Sequence, residues 1–392
     1  MENKKYSLLV VALYCYMGHV KSVIEHLKRK NPLVDITLLS NIKPEIVRKE
    51  ISDSSIKIEW YNVKDVNFIS NKALRAFVIR YRQNRFFAKF SKNRRFDIVN
   101  VHFPKRHLAY ARKYLKAMSE DLVISPWGSD ILRQNEMSLK QLRKLYKAAD
   151  YITILPDSNI GQKIIEEFGV DAKKMIGGFF GSDVIDYAIK YGDKITQEES
   201  KAKFGLEGRY VITCGYNRKT AQRHKEIIEA ISNVKDQLPD NLTLLFPMTY
   251  ANPRTETDYV EECRQLCLRK KLNSLFVTDF LSVEDLYKLR KSTDMFVHVQ
   301  TTDAGSACVQ EYILCDTKIV HGAWLKYKKF EEYQPLFYFP VERMDELGHS
   351  IVDAYFSEKI KIPQGVISYV KSRGWDNRST MMNNFFMSIV KK

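Results

Sequence analysis

Apolar residues fall along this chain in short runs separated by segments of helical spacing, and that alternation organises the rest of the reading. Residues 7–14 are almost continuously apolar, within a longer apolar stretch that runs over 8–16. Met17, Gly18 and His19 follow, and then apolar positions at Val20, Val23, Ile24 and Leu27. That is strand, glycine turn, helix, the opening of a doubly wound domain. Runs at 35–39, 56–60, 96–102, 122–125 and 150–155 have the length and composition of strands buried on both faces. Residues 177–192, containing GGFFGSD, break the pattern and read as a hinge loop between two halves. Strands resume at 210–213, 242–246, 295–299 and 318–320. Helices are predicted from about His224 to Val234, over 258–268, and after Ser282, which with Asp285 has capping-box spacing. The expectation is an α/β protein of two Rossmann-like doubly wound domains, 1–185 and 186–365, with a closing helix in 366–392 that returns to the first.

The densest chemistry lies at 299–324, VQTTDAGSACVQEYILCDTKIVHGAW. Asp303 falls in the turn after a strand, and Glu311, eight residues on, in the first two turns of a helix. Both acids can face one ligand at the carboxyl end of that strand, where open α/β sheets bind ligands. The backbone N–H groups of Gly305 and Ser306 fall at the positive end of the helix, a site for phosphate. A plainer reading makes Asp303 an N-cap and Glu311 a solvated helix position.

Composition narrows the classes. A chain of 392 residues has room for two cores, and no apolar run is long enough to span a bilayer. The start, MENKKYSLLV, lacks the pattern of a signal peptide. Six cysteines without a CxxC pair suit a reducing cytoplasm, and Cys263 and Cys267 have the spacing of packing residues. There is no DxD triplet, GxxxxGK[ST] loop or HExxH, and no metal site is expected.

The formal net charge of +16 argues for a polyanionic partner. It concentrates in 71–95, NKALRAFVIRYRQNRFFAKFSKNRR, which holds nine Lys or Arg and no acid, with Leu74, Phe77, Val78, Tyr81 and Phe90 interleaved. Such a basic, aromatic helix reads as binding an anionic membrane surface. It also reads as an ordinary amphipathic helix with its apolar face in the core, although that leaves the missing acids unexplained. A nucleic-acid-binding protein is a further class that suits interleaved arginines and aromatics, but the basic cluster is confined to one segment.

The acid, seven residues, acid arrangement, with a glycine shortly after the first acid, resembles the donor-site motif of retaining glycosyltransferases of family 4, which have the GT-B fold of two domains facing across a cleft. Where the first acid is usually Glu, this chain has the shorter Asp303. The resemblance implies that Glu311 holds the ribose of a nucleotide-sugar, while Asp303, Gly305 and Ser306 meet the sugar and distal phosphate. The loop PWGSD at 126–130 is similar to one that many members carry in the first domain, and there Asp130 either acts on the acceptor hydroxyl or caps a helix starting at Ile131. His102 is either a contact to the transferred sugar or a structural histidine. Gly18 is either a tight-turn glycine or, with His19, part of the loop that the sugar approaches.

In the second half the resemblance places cations after the strand at 210–213. The usual lysine-glycine pair is absent, so Arg218 and Arg223, with Asn217, are the expected diphosphate contacts. The loop PMTY at 247–250, including Thr249, and the backbone at Phe280 and Leu281 complete the expected donor site. This region is also similar to the bacterial fucosamine transferase that builds a lipid-linked surface antigen. The implied activity is metal-independent sugar transfer from a nucleoside-diphosphate-sugar co-substrate, with no cofactor, to a lipid-linked or growing polysaccharide. The implied location is the cytoplasmic face of the plasma membrane. Another GT-B enzyme, such as a nucleotide-sugar epimerase, is the alternative.

Overall fold

The computed structural model describes residues 3–63, 66, 68–249, 253–303, 305–334, 336–358 and 361–390. Tyr250 of the PMTY loop therefore lies outside the described residues. The chain divides into two compact units, Met1–Phe180 with Asp376–Lys392, and Gly181–Trp375.

In the first unit, strands β1 (Ser7–Ala12), β2 (Asp35–Ser40), β3 (Lys57–Trp60), β4 (Phe96–His102), β5 (Ser119–Ser125), β6 (Tyr151–Thr153) and β7 (Met175–Ile176) form one sheet. Their order is β3-β2-β1-β4-β5-β6-β7, and every pairing is parallel. In the second unit, β8 (Tyr210–Cys214), β9 (Leu242–Pro247), β10 (Ser274–Val277), β11 (Met295–His298), β12 (Lys318–Gly322) and β13 (Tyr338–Val341) are again all parallel. Their order is β10-β9-β8-β11-β12-β13. Each sheet reverses its winding beside its first strand, between β1 and β4 and between β8 and β11. Open sheets bind ligands outside the carboxyl ends at such points.

The apolar runs become strands because helices cover both faces of each sheet. In the second unit, Ile227, Ile228, Ile231 and Val234 of the helix His224–Val234 share one buried cluster with Leu244, Phe246 and Val297 of the strands. Burying side chains of this size contributes about 1.5–3 kcal/mol each. Cys263 and Cys267 belong to the same cluster, and all six cysteines are free.

Several boundaries differ from the sequence reading. The first strand ends at Ala12, because Tyr14 takes a left-handed φ of 61° and Tyr14 and Tyr16 are exposed. Gly18 is not a turn residue, since the helix Met17–Lys30 begins one residue before it. Most of 177–192 is not a loop. Ser182 caps a helix, Asp183–Tyr191, by accepting from Val184 N and Ile185 N, and Val184 and Ile185 are buried beneath it. The closing segment is two helices, Gln364–Lys371 in the second unit and Trp375–Ile389, nearly all of which belongs to the first. The short strands β7, β10 and β13 carry no pattern that the sequence reading picked out. Among the described residues no helix is long and apolar enough to cross a membrane.

Candidate functional site

At the carboxyl end of β11, the chain turns at Asp303 and enters the helix Ala307–Leu314, which Ser306 caps by accepting from Cys308 N. Three donors converge on Asp303 Oδ2: His298 Nε2 at 2.8 Å, Ser306 N at 3.3 Å, and the buried hydroxyl of Tyr327. Ser306 N also donates to Tyr327 Oη at 2.9 Å. Asp303 is thus not the N-cap, a place that Ser306 takes, but the centre of a polar cluster, with its side chain 7% exposed. Gly305 has a φ of +87°, and nothing stands within 4 Å of where its side chain would begin, so the backbone of the turn is open there.

Glu311 is not a solvated helix position. Its residue is 8% exposed, Oε1 accepts from Ser182 Oγ at 2.8 Å, and Oε2 accepts from Arg290 Nε at 3.2 Å. Arg290 also donates to Tyr312 Oη at 3.0 Å. A carboxylate removed from water in this way needs such partners.

After β8, Gly215 takes a φ of +63°, and a Cβ there would lie 2.9 Å from Gln222 Oε1 and His224 Nε2. Only glycine fits that approach. Asn217 is buried and accepts from Lys219 N at 2.9 Å. Arg218 is anchored to two carbonyls, Met248 O at 2.8 Å and Thr278 O at 2.9 Å. Arg223 starts the helix His224–Val234 in the left-handed region, with its guanidinium 5.1 Å from the centre of the Trp324 ring. Thr249 is half-buried just beyond β9. Phe280 is 82% exposed, while Leu281 packs on the cluster of Leu206, Val211, Leu245 and Leu289.

The first unit carries its own cluster at the carboxyl ends of β4 and β5. Trp127 Nε1 donates to His102 Nδ1 at 3.4 Å, which makes Nε2 the protonated nitrogen, and Nε2 is buried without a hydrogen-bond partner. Burial lowers the His102 pKa to about 3, so the imidazole is neutral. Asp130 does not cap a helix starting at Ile131. The helix Ser129–Leu132 begins before it, and its carboxylate turns back to accept from Trp127 N at 2.9 Å and Gly128 N at 2.7 Å. Its Oδ2 is buried with no partner. Burial raises its pKa to about 6, against the backbone donors and Lys105. His19, exposed on the first turn after Gly18, stands edge-on to Tyr16 and Trp127 with ring centres 5.1 and 5.3 Å away.

The second unit therefore brings Asp303, Gly305, Ser306 and Glu311 onto one strand-turn-helix segment, with Asn217, Arg218 and Arg223 on the loop after β8. The first unit holds His102 and Asp130 together through Trp127, with His19 on the same ring. Sequence reading missed His298, Tyr327, Arg290 and Ser182. His298 is a lone polar residue within the apolar run 295–299, which is a signal; the other three carry no local one. Among the described residues, no group of three or more His, Cys, Asp or Glu could hold a metal ion.

No protein-family model and no curated protein sequence matches this chain. Solved structures do. A glycosyltransferase from Rickettsia africae ESF-5 is similar at TM-score 0.71 and 14% identity, over 99% of each chain. Alr3699/HepE of Anabaena, in complex with UDP and glucose, is similar at 0.70 and 14%, over 98% of this chain and 100% of that one. A sucrose-phosphate synthase from Thermosynechococcus elongatus is similar at 0.67 and 11%, over 98% and 99%. At such identities the likeness speaks for architecture alone, and that architecture is GT-B.

Proposed function

We propose, taking the GT-B fold as premise, that this chain is a retaining glycosyltransferase of the family 4 type. It moves a sugar from a nucleoside-diphosphate-sugar to a lipid-linked or growing polysaccharide acceptor in surface glycan synthesis. The observation that carries the reading is the acid pair of the second unit: Asp303 at the turn after β11 and Glu311 on the following helix, with side chains 7% and 8% exposed and both held by neighbouring donors. The similar Anabaena structures were solved with UDP and with UDP-glucose, which supports a nucleotide-sugar as the donor.

In this reading Glu311 accepts from the ribose hydroxyls and Asp303 from a sugar hydroxyl. The open backbone at Gly305 lets the distal phosphate approach the start of the helix Ala307–Leu314. The bond between the anomeric carbon and the phosphate oxygen breaks, the acceptor oxygen bonds to that carbon, and the acceptor proton leaves on the nucleoside diphosphate. Arg218 and Arg223 stabilise the charge that grows on the departing group. In the first unit, Asp130 polarises the acceptor hydroxyl and neutral His102 donates from Nε2 to the sugar, with Gly18 and His19 beside them. The reading takes no metal and no cofactor.

Thermal unfolding with a panel of nucleoside diphosphates and nucleotide-sugars, with and without magnesium, tests it on the wild type and Glu311→Gln. A selective, magnesium-independent upward shift with one base, lost in the variant, is the expected result. Saturation at a hundredfold excess over Kd corresponds to about 2.7 kcal/mol. No shift with any nucleotide would remove the donor site and the reading with it.

A further inference from the structure

The helix Lys72–Phe90 of the first unit has two apolar faces. Gln83, Phe87 and Phe90 are buried against their own unit, and Phe86 and Phe87 pack their rings near Tyr61. At about 100° per residue, Leu74, Phe77 and Tyr81 fall together on the opposite side. They are 52%, 65% and 58% exposed. A single exposed apolar residue is ordinary, but three large ones on one helical face are not. Phe68, just before the helix, is 80% exposed as well.

Charge surrounds this stripe. Lys72, Arg85, Lys89, Lys92 and Arg95 are all exposed. Two other cations of the segment are engaged within the unit: Arg80 lies over the Tyr110 ring at 4.4 Å, and Arg94 pairs with Glu59 at 2.7 Å. The segment 71–95 contains no acid, so no neighbouring carboxylate on the helix offsets the exposed cations.

We infer that this face of Lys72–Phe90 is a docking surface for an anionic lipid bilayer. Leu74, Phe77 and Tyr81 enter the boundary between headgroups and acyl chains, and the flanking Lys and Arg side chains reach lipid phosphates. The combination selects the occupant. Lipid phosphates satisfy the cations, and only a bilayer also takes up a convex row of a leucine and two aromatics along one helix. Nucleic acid would engage the arginines and leave Leu74 in water. The helix lies flat on the surface by this account, with one face held by its own unit and the other by lipid.

The test is co-sedimentation of the full chain with vesicles of phosphatidylcholine alone and of phosphatidylcholine mixed with phosphatidylglycerol. Two exposed-site variants accompany it, Arg85→Glu/Lys89→Glu and Leu74→Ser/Phe77→Ser/Tyr81→Ser, each first checked for an unchanged thermal midpoint. The wild type should bind only the mixed vesicles, and the charge reversal should lower partitioning by more than about tenfold. The triple serine variant should also bind more weakly and lose the fraction that survives raised salt, because apolar burial is not screened. Absence of wild-type binding to the anionic vesicles would overturn the inference. So would binding that the serine variant leaves unchanged, or preferential capture by DNA with the same indifference to Phe77. The experiment needs neither donor nor acceptor, so its failure would leave the transferase reading standing.

Discussion

Arg290 Nε lies 3.2 Å from Glu311 Oε2, with the two side chains 5% and 8% exposed. Taking two charges out of water is unfavourable for each alone, so the pair holds together mainly because neither can be left by itself. The bond also fixes the orientation of the carboxylate assigned to the ribose.

Arg290→Met should therefore lower the unfolding free energy by about 3–5 kcal/mol, because it strands the Glu311 carboxylate. Urea denaturation reads this directly. Glu311→Gln strands the Arg290 guanidinium in the same way and should cost a similar amount. A loss under about 1 kcal/mol in either variant would contradict a buried, paired charge.

Tyr327 offers a second handle. Its hydroxyl donates to Asp303 and accepts from Ser306 N, and burial beside that carboxylate holds its pKa well above the usual range. Tyr327→Phe removes one donor from Asp303 and leaves Ser306 N with its 3.3 Å contact. Loss of a buried hydrogen-bonded partner should destabilise by about 1–3 kcal/mol. Nucleotide affinity should fall alongside, measured by titration calorimetry.

Asp130 sets a pH dependence. Its folded pKa, raised by burial to about 6, lies above the unfolded value, so the folded state holds its proton more tightly. Its contribution to stability is complete below about pH 4 and is lost as pH rises through 6. Asp130→Asn should flatten that part of the stability profile. Because only the Asp130 carboxylate polarises the acceptor hydroxyl in the proposed reaction, transfer should rise with pH through an apparent pKa near 6, and the variant should lose that rise.

The buried histidines pull the other way. Burial holds His102, His224 and His321 at about 3 and His107 at about 4, all below the unfolded value. Below pH 6.5 the unfolded chain takes up protons that the folded chain refuses. The stability present above that pH falls as acid is added, by about 2 kcal/mol per imidazole at pH 5. With four histidines against one aspartate, the thermal midpoint should drop steeply between pH 6.5 and 4. A flat profile there would mean that the imidazoles are reached by water.

Part of this site could be read from residues alone. Asp303 and Glu311 stand at fixed spacing on a strand-turn-helix pattern, and the spacing is local, so the segment folded as expected. The same holds for the helix His224–Val234, where apolar residues recur on one face. Ser182 was missed because its neighbourhood, GGFFGSD, is rich in turn formers, and the cap that organises the helix Asp183–Tyr191 depends on Val184 and Ile185 finding a core. Nothing near Arg290 in the chain announces Glu311 as its partner.

Periodicity, capping chemistry and charge act over a few residues, so the sequence by itself determined the alternation of strands and helices, the acid pair and the basic segment 71–95. Burial is decided by residues far apart in the chain. Only the tertiary structure turned Glu311 inward to Arg290 and Ser182, gathered His298, Tyr327 and Ser306 around Asp303, and left Leu74, Phe77 and Tyr81 outside while Phe87 went in. An apolar residue on a helix favours leaving water, but which face finds a partner depends on what the rest of the chain packs against it.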